Sequence, residues 1–411
     1  MPNINLLRKY AKLAVYSGAN LQKGQPLMIS ANNETKDFVR LIVEEAYLAG
    51  ASTVTVRWND EIINHHAFVY ETKESLSDVP EYLVQQYNYY IEKGYALIAV
   101  HAETPGLMAD IDPEKMQAAS IARSKALKAW REHTMGNRTQ WCVISIPTPE
   151  WAKKVFPKQN ESQAMDSLWS AILEAVRVRE DNDPVADWEQ HGNRLHHNNE
   201  TLNQFNFKSL HFKNNLGTDL VVELVQDHLW AGGNEVSTQG VPFNANMPTE
   251  ENFCMPYKFG VNGKVVASKP LNYNGKLIKD FWMEFKEGKV VAYDAKEEKD
   301  ALKSLIEFDE GSCYLGEVAL VNYDSPISNS GILYMNTLFD ENASCHLALG
   351  RAYPMNVKGG HDMSQEELDK IGSNNSMEHE DFMFGSKDMS IVGTTQDGQQ
   401  IVVFKDGNFA F

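Results

Sequence analysis

Cysteine is scarce in this chain: four in 411 residues, at Cys142, Cys254, Cys313 and Cys345. No two of them form a CxxC pair, which argues against both a thiolate zinc site and a disulfide framework. A reducing compartment, the cytoplasm, is the simplest expectation. Long hydrophobic runs are missing as well. No apolar stretch approaches the roughly twenty residues that span a bilayer, so no membrane role is expected. Residues 1–18 lack the charged, then apolar, then small order of a secretory signal. Leu6, Leu7, Tyr10, Leu13 and Ala14 recur there at helical spacing, and Gly18 marks a stop. Basic runs are also lacking. With a net charge of −18, the chain is ill-suited to a nucleic-acid backbone. The glycine patterns of nucleotide sites, GxGxxG and GxxxxGK[ST], follow none of its strands.

What is present is an ordinary globular composition, 43% apolar over 411 residues, enough for two or three domains. The first half alternates short apolar strands with helices. Strand patterns fall at 26–30, 53–58, 96–100 and 141–146. Helical patterns fall at 38–50, 79–93, 113–133 and 162–176. Such alternation predicts an α/β layer domain with a mostly parallel sheet, over 1–205. His65, His66 and His101 read as surface or loop residues, and the polar stretch with His191, His196 and His197 reads as a solvated connector. From Phe207 onward the pattern changes to short strands separated by hairpin signals. These are Asn214-Asn215-Leu216-Gly217, Asn262-Gly263, Glu287-Gly288, Asp397-Gly398 and Asp406-Gly407. Helical signal is confined to 295–306 and 365–371. This half predicts an α+β, β-rich domain over 206–411.

The chemistry-bearing residues gather in that second half. Ser344-Cys345-His346-Leu347-Ala348-Leu349-Gly350-Arg351-Ala352-Tyr353 sets one imidazole and one phenol in a run of small and apolar side chains. Glu317 lies inside Leu315-Gly316-Glu317-Val318-Ala319-Leu320, and a carboxylate buried there needs a partner or a metal. In His379-Glu380-Asp381, strand alternation aims His379 and Asp381 at one face. In Asn246-Met247-Pro248-Thr249-Glu250-Glu251 the adjacent acids are either a capped helix start or ligands in a turn entering a strand. Glu251, Glu317, His346, His379 and Asp381 together form a hard-to-borderline donor set suited to zinc, cobalt or manganese. Five side chains exceed the need of one tetrahedral ion and suit two.

These same motifs, in this order and spacing, resemble the thermophilic-type metallo-aminopeptidases, the aminopeptidase T and aminopeptidase S family, over nearly the whole chain. The resemblance implies a two-domain exopeptidase acting on small peptides, with two divalent metal ions per subunit in the carboxy-terminal domain. It also implies a homodimer whose subunits enclose the sites, with the amino-terminal domain shaping that cavity. The family's metal positions fall on Glu251, Glu317, His346, His379 and Asp381, and its catalytic tyrosine on Tyr353. At the adjacent acids the resemblance favours Glu251 as the ligand and leaves Glu250 as a supporting or proton-transfer group. Two other readings stay open beside it: another binuclear metallohydrolase such as an amidase, and a metal-stabilised dimeric scaffold without turnover.

Overall fold

In a computed structural model describing residues 2–411, the chain folds as two compact units. The first runs to Gln190 and takes back Asn234–Pro248; the second comprises His191–Gly233 and Thr249–Phe411. The single break after residue 205 read from the sequence is therefore replaced by three crossings. The first crossing falls inside one continuous helix, Pro184–Phe205, which is why no linker composition marks it.

The first unit is built on a parallel sheet of β1 (Leu27–Asn32), β2 (Val54–Asn59), β3 (Ala96–His101) and β4 (Trp141–Ser145), in the order β2-β1-β3-β4. Each crossover carries helix, as parallel neighbours require. Leu27, Ile29, Ala96, Ile98, Cys142 and Ile144 are fully buried, which explains the near-continuous apolar strands. The short strand Asn246–Met247 adds itself in parallel beside β4. Gly18, read as a helix stop, also serves packing: a Cβ there would lie 2.7 Å from Cys142 Sγ. The expected helix over 113–133 is two helices, Pro113–Ala126 and Lys128–Met135, broken at Leu127. His65 pairs with Asp110 at 2.9 Å.

The second unit contains a nine-stranded antiparallel sheet and a four-stranded one. The smaller sheet is made of β5 (Glu251–Cys254), β6 (Leu315–Val321), β7 (His346–Gly350) and β8 (His379–Met383), all antiparallel and in that order. One of its faces supplies Val318, Leu320, Leu347, Leu349 and Phe382 to a core shared with Leu210, Phe212, Leu220, Val222 and Ile391 of the larger sheet. Asn262-Gly263, expected as a hairpin turn, lies instead inside the long strand Pro256–Val266. A Cβ on Gly263 would sit 2.2 Å from the Asp219 carbonyl oxygen, so the glycine marks a close approach of strands. The helical signal from 295 begins later, at Lys299, because the preceding strand continues to Glu297.

The polar stretch expected as a connector is helical for a reason its composition hides. Trp188, His191, Leu195, Asn199 and Leu202 recur every three or four residues and are all buried. Its polar members are satisfied: His191 Nε2 donates to the Thr249 carbonyl at 2.7 Å, and Asn199 donates to the Gly232 carbonyl at 2.9 Å.

His228 links this fold to pH. Its Nδ1–H donates to the Val225 carbonyl at 3.0 Å, while Nε2 is buried without a protein partner. Burial pushes its pKa below the ordinary 6.5. The unfolded chain then takes up a proton that the folded chain refuses, so this contribution to stability is whole above about pH 6.5 and drains away as pH falls toward the folded value. His228→Asn, which keeps a donor for Val225, is expected to flatten the fall of Tm between about pH 6.5 and 5. An unchanged slope would show that other groups govern the acid limb.

Candidate metal centre

Strand register brings the acidic and imidazole side chains together. Ala319 pairs with His346 and Glu317 with Ala348 across β6 and β7; Ala348 pairs with Asp381 and Gly350 with His379 across β7 and β8. Glu251 opposes Val321 across β5 and β6. Side chains directly opposite share a face, so Glu251, Glu317, His346, His379 and Asp381 all project from the side away from the apolar core. The residues between them, Ala319, Ala348 and Gly350, are small and leave room. A register shift between Leu315 and Glu317 adjusts Glu317 to this face. Gly316 makes that shift possible, since a Cβ would approach the Arg351 carbonyl oxygen to 2.2 Å.

Two donor groups result, Glu251/Glu317/His346 and Glu317/His379/Asp381, the ligand atoms of each lying within 4.8 Å of one another. His346 Nε2 is 3.1 Å from Glu251 Oε2 and 3.5 Å from Glu317 Oε1. His379 Nε2 is 3.7 Å from both Glu317 Oε2 and Asp381 Oδ2. His379 Nδ1 meets the Arg351 carbonyl at 2.7 Å, which fixes the proton there and turns the Nε2 lone pair to the cluster. Tyr353 tilts against the His379 ring at 4.7 Å between centroids and lies edge-on to Phe253 at 6.2 Å. Glu250 turns elsewhere: its Oε2 is 3.6 Å from His191 Nε2. The turn entering a strand, one of the two readings of these acids, is the one found, because Glu251 begins β5.

One participant escaped sequence reasoning. Glu341 is half-buried and repelled by Asp381, Glu251 and Glu317, yet it sits in a single 3₁₀ turn, Glu341–Ala343, where neither strand nor helix periodicity points it anywhere. The available signal was an acidic pair, Asp340-Glu341, five residues before His346.

The electrostatics of the cluster are unbalanced. Burial and the Asp381 charge push Glu317 up to about 6, against a favourable bond from His346. Burial, then repulsion by Asp381 and Glu251, holds Glu341 well above the ordinary carboxylate range. At His346 burial opposes protonation, but Glu251, Glu317 and Asp381 outweigh it and raise the pKa well above 6.5. Burial and four neighbouring carboxylates hold the Tyr353 phenol protonated far above its usual range. Among the described residues, the ion-pair partners of Glu251, Glu317 and Asp381 are both histidines, with no lysine or arginine. Asp381 Oδ1 is buried with no protein hydrogen-bond partner. Buried acids in such excess cost several kcal/mol each unless a cation neutralises them, and carboxylate–imidazole donors at this separation fit divalent ions.

The family model of the thermophilic metalloproteases (M29) matches residues 4–409. The chain belongs to that family. It is 45% identical over 405 residues to aminopeptidase AmpS of Bacillus subtilis (strain 168), covering 98% of each chain. It is 44% identical over 405 residues to aminopeptidase 2 of Geobacillus stearothermophilus, again covering 98% of each. Wild-type AmpT from Thermus thermophilus superimposes with a TM-score of 0.92 at 38% identity, covering 99% of both chains. No helix among the described residues is long and apolar enough to cross a membrane.

Asn342 ties the segments of the M29 site together. Its Oδ1 accepts the Glu250 N–H at 2.7 Å, and its Nδ2 donates to the Leu338 carbonyl at 3.0 Å and to Glu341 Oε1 at 3.3 Å. Asn342→Ala strands a buried N–H and is expected to cost about 1–3 kcal/mol, lowering the Tm of the metal-free protein by several degrees. Calorimetry giving the parental Tm would show that these bonds carry no net stability.

Proposed function

We propose that this chain is a metal-dependent aminopeptidase that removes amino-terminal residues from small peptides, using two divalent cations held on the acidic face of β5–β8. The observation that carries the reading is the pair of donor groups sharing Glu317. Glu251 and His346 would hold one cation and His379 and Asp381 the other, with Glu317 belonging to both donor groups. Glu341 adds a further carboxylate. Zinc, cobalt and manganese all suit this donor set. Bound there, the cations supply a water acidified toward neutral pH and polarise the peptide carbonyl.

The chain's own residues do the rest. The two imidazoles, fixed by backbone carbonyls, present neutral Nε2 atoms as ligands. Tyr353 Oη–H donates to the substrate carbonyl oxygen as it gains charge, where a preorganised donor in a dry site is worth most. Glu250, turned toward His191, is the supporting group beside the ligand Glu251. Repulsion among the acids disfavours an anionic group at the substrate's leading end and favours its free ammonium. Cytoplasmic location and a homodimer complete the proposal.

Chelated, metal-free protein is expected to lose hydrolysis of Leu-Gly-Gly and to regain it with zinc, cobalt or manganese supplied separately. The same loaded protein should leave acetyl-Leu-Gly-Gly intact. Equal rates on the two peptides would mark an endopeptidase or amidase, and bound metal without any turnover would mark a scaffold.

Tyr353→Phe is expected to lower kcat about 100- to 1,000-fold with little change in KM. Metal content should stay at the parental stoichiometry. A kcat within about threefold of the parent would remove the phenol from the chemistry.

A further inference from the structure

A narrow cleft adjoins the acidic cluster and shares two of its walls. Asp340, Glu341 and Asp381 are among its walls; Leu271, Leu333, Met335 and Met383 line much of the rest, and no lysine, arginine or histidine does. One wall is unusual in its backbone. Met335 has φ +56°, and among the described residues it is the sole apolar non-glycine residue with positive φ. Long side chains avoid this region, and when one is held there beside a reactive site the conformation is tied to function more often than to accident.

What holds it is Asp340. This buried carboxylate accepts the N–H of Tyr334 through Oδ1 at 2.8 Å and the N–H of Asn336 through Oδ2 at 3.1 Å, gripping the backbone on both sides of Met335. Asp340 is also the residue before Glu341. The strap that walls the cleft and a carboxylate of the cluster are thereby fixed by one turn of chain.

We propose that this cleft receives the side chain of the substrate's first residue, that it takes apolar side chains, and that Met335 sets its size while Asp340 positions Met335. The proposal rests on the aminopeptidase reading above. In a peptide the first side chain leaves from the carbon between the free amine and the scissile carbonyl. With that carbonyl at the paired donor groups, the side chain must enter space bordering them, and this cleft borders both Glu341 and Asp381. Its walls reward apolar area. An acidic side chain would meet Asp340, Glu341 and Asp381 there. Methionine side chains are long and supple, so Met335 and Met383 can move aside for chains larger than the resting cleft admits.

The test compares kcat/KM on X-Gly-Gly, with X as Ala, Leu, Phe, Glu or Lys, and on Ala-X-Gly with the same set. It uses metal-loaded parent, Met335→Ala, Met335→Trp and Asp340→Asn, with bound metal measured in each. The parent is expected to favour Leu over Glu in first position by about tenfold or more. Met335→Ala should raise the Phe-to-Ala ratio in first position about tenfold and Met335→Trp should lower it, both with parental metal content. Asp340→Asn should blunt first-position selectivity mainly through KM, again with metal retained. The proposal is overturned if Met335 variants alter second-position selectivity instead, if they leave first-position ratios unchanged, or if Glu is the first residue the parent prefers. Loss of metal from Asp340→Asn would overturn its positioning role. A parent that releases no first residue from any of these peptides would sink the aminopeptidase reading itself, and this proposal with it.

Discussion

Carboxylates crowd one face of the β5–β8 sheet, and their mutual repulsion is the constraint on which the rest of the second unit depends. Glu251, Glu317, Glu341 and Asp381 act on one another in a setting relieved, among the described residues, by two imidazoles. Holding such a group together requires a scaffold that does not yield. The opposite face of the same sheet provides it, with Val318, Leu320, Leu347, Leu349 and Phe382 locked into the core shared with the larger sheet. Burial of several large apolar side chains, each contributing about 1.5–3 kcal/mol, offsets the strain of collecting the acids. A strand is well suited to this division, since alternate residues serve stability and chemistry independently.

The turn at Asp340-Glu341-Asn342 solves a different problem. Asp340 and Asn342 are buried and Glu341 between them is half-buried, and each addresses a separate wall of the site. Asp340 holds the backbone around Met335, Glu341 faces the cluster, and Asn342 holds the approach to Glu251 and steadies Glu341. A tight 3₁₀ turn spreads neighbouring side chains around its axis, which a strand cannot do. The arrangement couples the reactive cluster, the segment leading into β5 and the adjoining cleft through hydrogen bonds rather than through sheet register.

The strand motifs were legible because the physics that forms them is local. Alternation in His379-Glu380-Asp381 aims the outer two residues together, and the carboxylate inside Leu315–Val321 is conspicuous against its apolar neighbours. The same locality explains the readings that failed. Asn262-Gly263 has the composition of a turn, yet it lies within a strand whose neighbour comes too close for a side chain. The stretch from Pro184 looked solvated because its buried stripe includes His191 and Asn199, whose hydrogen-bond partners lie far along the chain.

By itself the sequence determined the two classes of sheet and aimed His379 and Asp381 at one face, since these follow from short-range periodicity, while the resemblance to the M29 motifs singled out Glu251 beside them. Tertiary structure decided what periodicity does not encode. It drew Glu341 into the cluster from a turn, turned Glu250 toward His191, and returned Asn234–Pro248 to the first unit. Each of these depends on contacts between residues distant in the chain, where long-range packing and hydrogen bonding outweigh local preference.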